Sequence, residues 1–186
     1  VASSTHNDEE IFCIKAHLEL KKKIKNLVTV IIPRHIHRVN SIIKKIENLN
    51  LNLKVICHSS TKKNLNSTDI YIVDTFGETQ IFHKLGCSVF LGGSIIKRGG
   101  QNPLEAARYD ANILHGPNVD NFKDVYKLLK KFNIAIQINN PKELAYSIIF
   151  KKDKNKGLKI KKIGKKILKK TLKELDSIIN NEFKKT

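Results

Sequence analysis

The stretch Leu27-Val-Thr-Val-Ile-Ile-Pro-Arg34 decides the fold of this 186-residue chain. Residues 27–32 form an apolar, β-branched run that is too short for a buried helix, and Pro33 ends it. A run that does not alternate apolar with polar residues is typical of a strand buried on both faces of a parallel sheet. The stretch therefore predicts a central strand with Arg34 at its carboxyl end.

Short strand-like runs alternate with helical patterns along residues 1–150. The further runs are 54–57, 70–73, 89–91, 112–114 and 134–138, each followed by a loop rich in Gly, Pro, Asn or Asp. The helical patterns are a helix capped by Asn7 and ending at Lys21–Lys23, and the stretches 39–46, 121–132 and 141–150. This alternation predicts an α/β domain, a Rossmann-like parallel sheet flanked by helices.

The pattern changes after residue 150. Residues 151–157 read as a charged linker, and a long Lys-rich helix follows with an apolar seam. The seam consists of Ile160, Ile163, Ile167, Leu168, Leu172, Leu175, Ile178 and Ile179. Two interpretations stay open: the seam packs across a domain junction with its Lys face near anionic lipid, or it packs on residues 1–150 alone.

Composition narrows the class of protein. The formal net charge is +18, but residues 151–186 hold 14 Lys, and Lys, Ile and Asn recur throughout the chain, so the charge says little about a partner. Few aromatic residues are interleaved with the basic ones and no nucleic-acid-binding motif occurs, so we expect no nucleic-acid partner.

The N-terminal residues and the cysteines limit the class of protein further. The sequence starts at Val1, contains no Met, and has no run of about 18 apolar residues that would span a bilayer. We expect a piece of a longer protein, and residues 1–10 are too polar and acidic for a signal peptide. Cys13, Cys57 and Cys87 are odd in number and widely spaced, which argues against a zinc site or a disulfide framework and fits a reducing cytoplasm.

Unusual residues follow four of the predicted strands. Because the carboxyl ends of parallel strands meet at one edge of the sheet, we expect these loops to form a ligand site there. The loops are Pro33-Arg34-His35, Asp74-Thr-Phe-Gly-Glu78, the segment from Gly92-Gly-Ser94 through Gly99-Gly100 to Glu105, and Gly116-Pro117.

The third loop has the chemistry of an anion site. Gly92 and Gly93 lack side chains, so their amides are expected to approach a phosphate, with Ser94 beside them. A helix starting at Asn102-Pro103 would point its positive end at the same space. Glu105 is expected either to accept hydrogen bonds from two vicinal hydroxyls or to offset the dipole of its own helix. Arg34 is expected to bind a phosphate or a base edge, or to be a surface charge.

Other chemistries are disfavoured. The histidines 35, 37, 58, 83 and 115 lack the spacing of metal ligands, and we interpret them as ordinary surface or core residues. Ser94 lacks the surroundings of a hydrolase nucleophile. No Walker motif and no G-x-G-x-x-G fingerprint occur, which argues against a P-loop enzyme and a standard dinucleotide fold.

Taken together, the motifs resemble one family. They are Ser4-Thr5-His6, Pro33-Arg34-His35, Asp74-Thr-Phe-Gly-Glu78, Gly92-Gly-Ser94, Asn102-Pro-Leu-Glu105, and Gly116-Pro117 with Asn121-Phe122. In order and approximate spacing they resemble the C-terminal domain of 3-deoxy-D-manno-octulosonic acid (Kdo) transferase, a glycosyltransferase with the two-domain GT-B fold. The resemblance covers about residues 1–150.

The resemblance implies a function and a set of contacts. Residues 1–150 would bind CMP-Kdo, and an N-terminal domain outside this chain would bind the lipid A precursor (lipid IVA) at the cytoplasmic side of the inner membrane. That domain would also supply the general base, so no catalytic residue is expected here, and neither a metal nor a cofactor. The residues implied to contact CMP are Pro33, Arg34, Phe76, Gly77, Glu78, Asn102, Pro103, Leu104 and Glu105.

Some positions depart from the family pattern. Asp8 replaces a Gly, Ile36-His37 replaces Pro-Glu, and Val73, Phe76 and Gln101 stand where Gly, Met and His are usual. A GT-B transferase with a UDP- or GDP-sugar donor is the alternative, because it would share the architecture and the role of Glu105. A basic nucleic-acid-binding module ranks below both.

Overall fold

A computed structural model places seven parallel strands in one sheet. It describes residues 1–60 and 67–183, and for residues 166–168, 170 and 178–183 the backbone alone. The strands are β1 (Ala2–Thr5), β2 (Thr29–Pro33), β3 (Val55–Cys57), β4 (Ile70–Ile72), β5 (Ser88–Leu91), β6 (Asn112–His115) and β7 (Ala135–Gln137). Their order is β3-β4-β2-β1-β5-β6-β7, which confirms the predicted Rossmann-like sheet.

The central strand β1 is absent from the sequence prediction. It lies between β2 and β5, and its sequence Ala-Ser-Ser-Thr has no large apolar side chain. Ser3 is buried, and its hydroxyl lies 2.9 Å from Nε2 of buried His83. The backbone carbonyl of Thr5 accepts hydrogen bonds from Arg34 and Arg38. Strand β1 is therefore held by polar contacts and close packing, which a hydrophobicity pattern does not reveal.

Helices cover both faces of the sheet. They are α1 (Glu9–Lys21), α2 (Val39–Glu47), α3 (Thr79–Leu85), α4 (Leu104–Ala107), α5 (Lys123–Lys131), α6 (Pro141–Ser147) and α7 (Lys154–Phe183). Side chains of α1, α2 and α6 pack with one set of strand residues in a first hydrophobic core. Side chains of α4, α5 and the start of α7 pack with a different set of strand residues in a second core. Phe82 of α3 packs beside β2 and β4 in a third, smaller cluster.

Three helix ends differ from the prediction. Asn7 does not cap α1, since its side-chain amide donates to Asp8, which takes the N-cap position with a φ of 69°. The helix α6 ends at Ser147 rather than at residue 150, although Pro141 does start it and Asn140 accepts a hydrogen bond from the amide of Glu143. The helix after Asn102-Pro103 is a single turn, α4.

The helix α7 begins at Lys154, inside the segment predicted as a linker. The amide of Gly157 donates to Asp110, 2.7 Å away, and Ile160 is buried in the domain. Leu172 and Leu175 remain 50% and 48% exposed, so residues 1–150 cover the beginning of the seam but leave these two positions open. The side chains of Ile167, Leu168, Ile178 and Ile179 lie outside the described residues. Within the described ranges, no helix is long and apolar enough to cross a membrane.

Two histidines are buried as neutral groups. Nδ1 of His17 lies 2.9 Å from the Thr29 hydroxyl, and burial lowers the pKa of His17 to about 4. Burial likewise lowers the pKa of His83 to about 4. Both values lie below the ordinary pKa of about 6.5, because burial disfavours the charged ring.

We expect these histidines to make folding stability depend on pH between about 6.5 and 4. In that window the unfolded chain binds a proton at each ring and the folded chain does not, so the free energy of unfolding falls as the pH falls. The slope is up to about 1.4 kcal/mol per pH unit for each histidine. Denaturant unfolding of His17→Asn, which can keep the contact with Thr29, should show a shallower slope. The control His37→Asn, at an exposed histidine, should retain the parent slope, and equal slopes in all three proteins would contradict the assignment.

Candidate functional site

The predicted loops do meet at one edge of the sheet. The ladders pair Thr5 with Pro33, and Leu91 with His115, so the carboxyl ends of β1, β2, β5 and β6 lie side by side. Strand β4 adjoins β2, which puts the Asp74–Glu78 loop at the same edge. Between β4 and β5 lie three strand spacings, about 14 Å. Because β1 is where the strand order changes direction, the crevice between the loops after β1 and β5 is the expected ligand position.

A buried carboxylate fills the base of this crevice. Glu9, at the start of α1, has no exposed surface. Its Oε2 accepts hydrogen bonds from the amides of His6 (2.9 Å) and Gly93 (2.7 Å), and its Oε1 from those of Ser94 (3.1 Å) and Ile95 (3.0 Å). Successive amides that converge in this way form an anion-binding nest. The protein therefore supplies the anion itself.

This arrangement corrects the role expected of the glycine-rich loop. The amide of Gly92 donates to the Ser3 carbonyl (2.9 Å), and those of Gly93 and Ser94 donate to Glu9. The prediction that the Gly92 and Gly93 amides hold a phosphate is wrong for this arrangement, because each already has an acceptor. Ser94 is fully buried. Its hydroxyl donates to the carbonyl of Leu91 and accepts from the amide of Gly116, so both the hydroxyl and the backbone amide of Ser94 make hydrogen bonds within the fold.

The reason for glycine at position 92 is close packing. A Cβ atom there would lie 2.3 Å from the backbone oxygen of Ser4 and 2.7 Å from the Cα of Thr5. Any side chain would push β5 away from β1. Gly93 differs, because its φ of +68° bends the chain so that the following amides face Glu9.

The neighbouring carboxylate, Glu10, is also buried and holds the loop after β2. The Arg38 guanidinium donates to both oxygens of Glu10 (3.0 and 3.1 Å) and to the carbonyl of Thr5 (3.2 Å). Such a two-point pair fixes the orientation of both side chains. Arg38 is therefore engaged within the fold, and the preceding loop with Arg34 is anchored on β1.

His6 follows β1 and lies at the wall of the crevice. Its Nε2 is buried without a hydrogen-bond partner among the described residues, and its ring packs edge-on against His35 with centroids 6.1 Å apart. Burial lowers the pKa of His6, and nearby Arg98, His35 and Arg38 lower it further against the opposing effect of Glu9. At neutral pH the ring is therefore uncharged.

Two arginines at the crevice have no side-chain partner among the described residues. Arg34 is exposed, and its backbone amide donates to Thr5, 2.9 Å away. Arg98 is exposed as well, while its carbonyl accepts from the side chain of Asn121 and its Cβ lies close to Gly93. Neither Arg98 nor a chemical role for His6 was predicted from the sequence. Proximity to the glycine-rich turn was the signal for Arg98.

The loop after β4 carries the partly exposed carboxylate of Glu78. Glu78 accepts from the Thr75 hydroxyl, and its Oε1 lies 3.0 Å from Nε2 of His58. Nδ1 of His58 lies 2.7 Å from the Tyr71 hydroxyl, so this histidine positions Glu78 instead of standing alone. Phe76 is 79% exposed and Gly77 has a φ of +86°. In the described part of the chain, no cluster of His, Cys, Asp and Glu could hold a metal ion, and all three cysteines are free.

The helix after β5 is too short for the dipole expected of it. Strand β5 leads through the loop to α4, which has four residues, and the amide of Leu104 donates to the side chain of Asn102, 3.0 Å away. Pro103 is buried just before the helix. Glu105 is exposed with no hydrogen bond or ion pair to another described residue, so its carboxylate is available to a ligand.

Comparisons with known proteins point in one direction, although no family model matches. The 3-deoxy-D-manno-octulosonic acid transferase of Rickettsia prowazekii (strain Madrid E) is 35% identical over 174 residues, covering 91% of this chain and 36% of the relative. The protein of the same name from Rickettsia conorii (strain Malish 7) is 33% identical over 186 residues, covering 96% of this chain and 38% of the relative. The chain thus spans a little over a third of the length of these relatives.

A solved structure has the same fold. The C-terminal CMP-Kdo binding domain of WaaA from Acinetobacter baumannii matches with a TM-score of 0.72 and 26% sequence identity. The match covers 78% of this chain and 75% of that one. The fold prediction, a C-terminal domain of the GT-B type, is therefore confirmed.

Replacing Gly92 with Ala should destabilise the protein. The new methyl group meets backbone atoms of β1, and overpacking of this kind costs about 1–3 kcal/mol of the free energy of unfolding. The matched control is Gly164→Ala in α7, where a Cβ meets nothing within 4 Å and a helical Ala adds up to about 1 kcal/mol. Denaturant unfolding of both variants checks this, and a Gly92→Ala protein as stable as the parent would contradict the close approach of β1 and β5.

Proposed function

The chain belongs to the 3-deoxy-D-manno-octulosonic acid transferase family, and from this premise we propose that it is the donor-binding domain of a glycosyltransferase. The whole enzyme transfers Kdo from CMP-Kdo to the lipid A precursor, lipid IVA, in lipopolysaccharide biosynthesis. One observation carries the proposal: two exposed arginines, without a side-chain partner among the described residues, follow the strands on either side of β1 at the carboxyl edge of the sheet.

These groups suit a single phosphate. Arg34 and Arg98 follow the two strands that flank β1 and supply two guanidinium groups at this edge. Guanidinium matches phosphate oxygens in geometry and charge. The half-buried His6 ring lies near Arg98 in the wall of the crevice. With the loop amides engaged by Glu9, the phosphate of CMP is held by side chains.

The nucleoside would extend from the phosphate along the edge. Glu105 accepts hydrogen bonds from the two ribose hydroxyls, because its carboxylate is exposed and has no other partner among the described residues. Phe76, Gly77 and Glu78 line the cytosine, the exposed Phe76 ring offering a stacking surface. Residues 76–78 precede α3, which packs against α4, the helix that carries Glu105. The two groups can therefore reach one nucleoside.

The same groups would assist the chemistry. The acceptor hydroxyl oxygen forms a bond to the anomeric carbon of Kdo, while the bond from that carbon to the phosphate oxygen breaks and CMP leaves with the electron pair. Its phosphate gains negative charge in this step, and the cations Arg34 and Arg98 stabilise that charge. The hydroxyl proton passes to a base in the N-terminal domain. We propose that no metal ion and no cofactor take part.

Further partners follow from this role. An N-terminal acceptor domain of the same polypeptide would close over the crevice and bring the lipid substrate. The exposed Leu172 and Leu175 of α7, with the lysines around them, are available to pack on that domain or to face the anionic inner membrane from its cytoplasmic side. Nucleic acid is not among the proposed partners.

Removing the Arg34 guanidinium should weaken binding of CMP by this chain. A hydrogen bond between charged groups contributes about 1.5–3 kcal/mol, so calorimetric titration of Arg34→Ala should give an affinity about 10- to 150-fold lower. The matched control is Arg108→Ala, at an exposed arginine that follows the last residue of α4. If both variants bind CMP like the parent, Arg34 does not hold the phosphate.

Glu105 should make the chain distinguish CMP from 2′-deoxy-CMP. The parent is expected to bind CMP at least tenfold more tightly, because the deoxynucleotide leaves one carboxylate hydrogen bond unmade. In Glu105→Ala this preference should disappear, whereas Glu47→Ala, at the exposed end of α2, should keep it. A preference that survives Glu105→Ala would assign ribose recognition to another group.

A further inference from the structure

Doubly wound domains commonly bind a diphosphate with loop amides at the carboxyl edge of the sheet. The amides of Gly93, Ser94 and Ile95 lie at the same edge, in the loop after β5 next to β1, and they converge in the same way. Here they bind Glu9, whose two oxygens accept four backbone hydrogen bonds of 2.7–3.1 Å. An internal carboxylate therefore occupies an amide nest at the edge where such folds bind phosphate groups.

The charge of Glu9 adds to the effect of its volume. The four amides are the only partners of Glu9 within the described ranges, which contain no ion pair to it. The half-buried Arg38 is paired with Glu10 instead. The negative charge at the base of the crevice is therefore balanced by amide dipoles and not by a cation. A phosphate brought against it would face both an occupied nest and a like charge, and such opposition is how proteins reject a wrong ligand.

The cations are exposed. Arg34 and Arg98 lie at the surface, whereas Glu9 and Gly93 are buried. One phosphate can be bound by the exposed arginines without reaching the nest. A second phosphate that extends toward the nest would meet Glu9 in place of free amides.

We infer that Glu9 is a specificity-determining residue: by filling the amide nest it restricts this site to nucleotides with one phosphate and excludes nucleoside diphosphates. This inference rests on the proposed function, since it assumes that a cytidine nucleotide binds at this edge. From this inference we expect that a UDP- or GDP-sugar donor, which carries two phosphates, does not fit this site.

The first test uses the unmodified chain. Calorimetric titration with CMP and with CDP, each without metal ion, should show that CDP binds no more tightly than CMP. An open nest would instead give CDP an advantage of at least tenfold, because the second phosphate would gain charge-assisted hydrogen bonds. CMP binding together with tighter CDP binding would overturn the inference and leave the proposed function standing, whereas absence of binding by either nucleotide would overturn both.

The second test changes Glu9 itself. Glu9→Gln removes the charge at nearly constant volume, and Glu9→Ser also empties the nest. In the variants that fold, as judged by circular dichroism, the ratio of CDP affinity to CMP affinity should rise at least tenfold over the parent. Glu47→Gln is the matched control and should leave the ratio unchanged. A folded Glu9→Ser protein with the parent's ratio would overturn the inference, and if neither variant folds, the comparison in the unmodified chain still decides.

Discussion

The carboxylate of Glu9 is the contact on which the carboxyl edge of this domain depends. A buried ion without hydrogen bonds would cost several kcal/mol, so its four amide partners are a condition of its burial. Each such bond contributes about 1.5–3 kcal/mol. Three of the four donors lie after β5 and one after β1, two strands joined by a ladder of only two residue pairs in the described sheet. Glu9 thus holds the loops after β1 and β5 together, and the close packing of Gly92 against Ser4 joins the same two strands.

The fold was predictable because most strands carry their own signal. Residues 27–32 and the five later runs coincide with strands β2 to β7, since buried parallel strands must be apolar on both faces. Strand β1 carries no such signal: Ser3 is buried because His83 satisfies its hydroxyl from across the core, a contact over 80 positions in sequence. The prediction that Asn7 caps α1 was wrong for a related reason. Acidic residues in a first turn usually compensate the helix dipole at the surface, whereas Glu9 and Glu10 are buried.

The site was predictable as a place but not in its electrostatics. Parallel topology brings Arg34 and the glycine-rich loop to one edge whatever the side chains do, and the comparisons agree with the family suggested by those motifs. Glycines in a turn, however, look the same whether their amides meet a ligand or an internal carboxylate, and Glu9 lies 84 positions before Gly93. The roles of Arg98 and His6 were not predicted for the same reason, because they depend on which neighbouring side chains leave these two without partners.

The position of the phosphate is therefore the central question, and a crystal structure of this chain with CMP answers it most directly. The phosphate should lie within hydrogen-bond distance of the Arg34 guanidinium, with Arg98 or His6 as its second contact. Glu9 should keep its four amide bonds. A phosphate bound by the Gly93 and Ser94 amides, with the Glu9 side chain displaced from them, would contradict this description of the site.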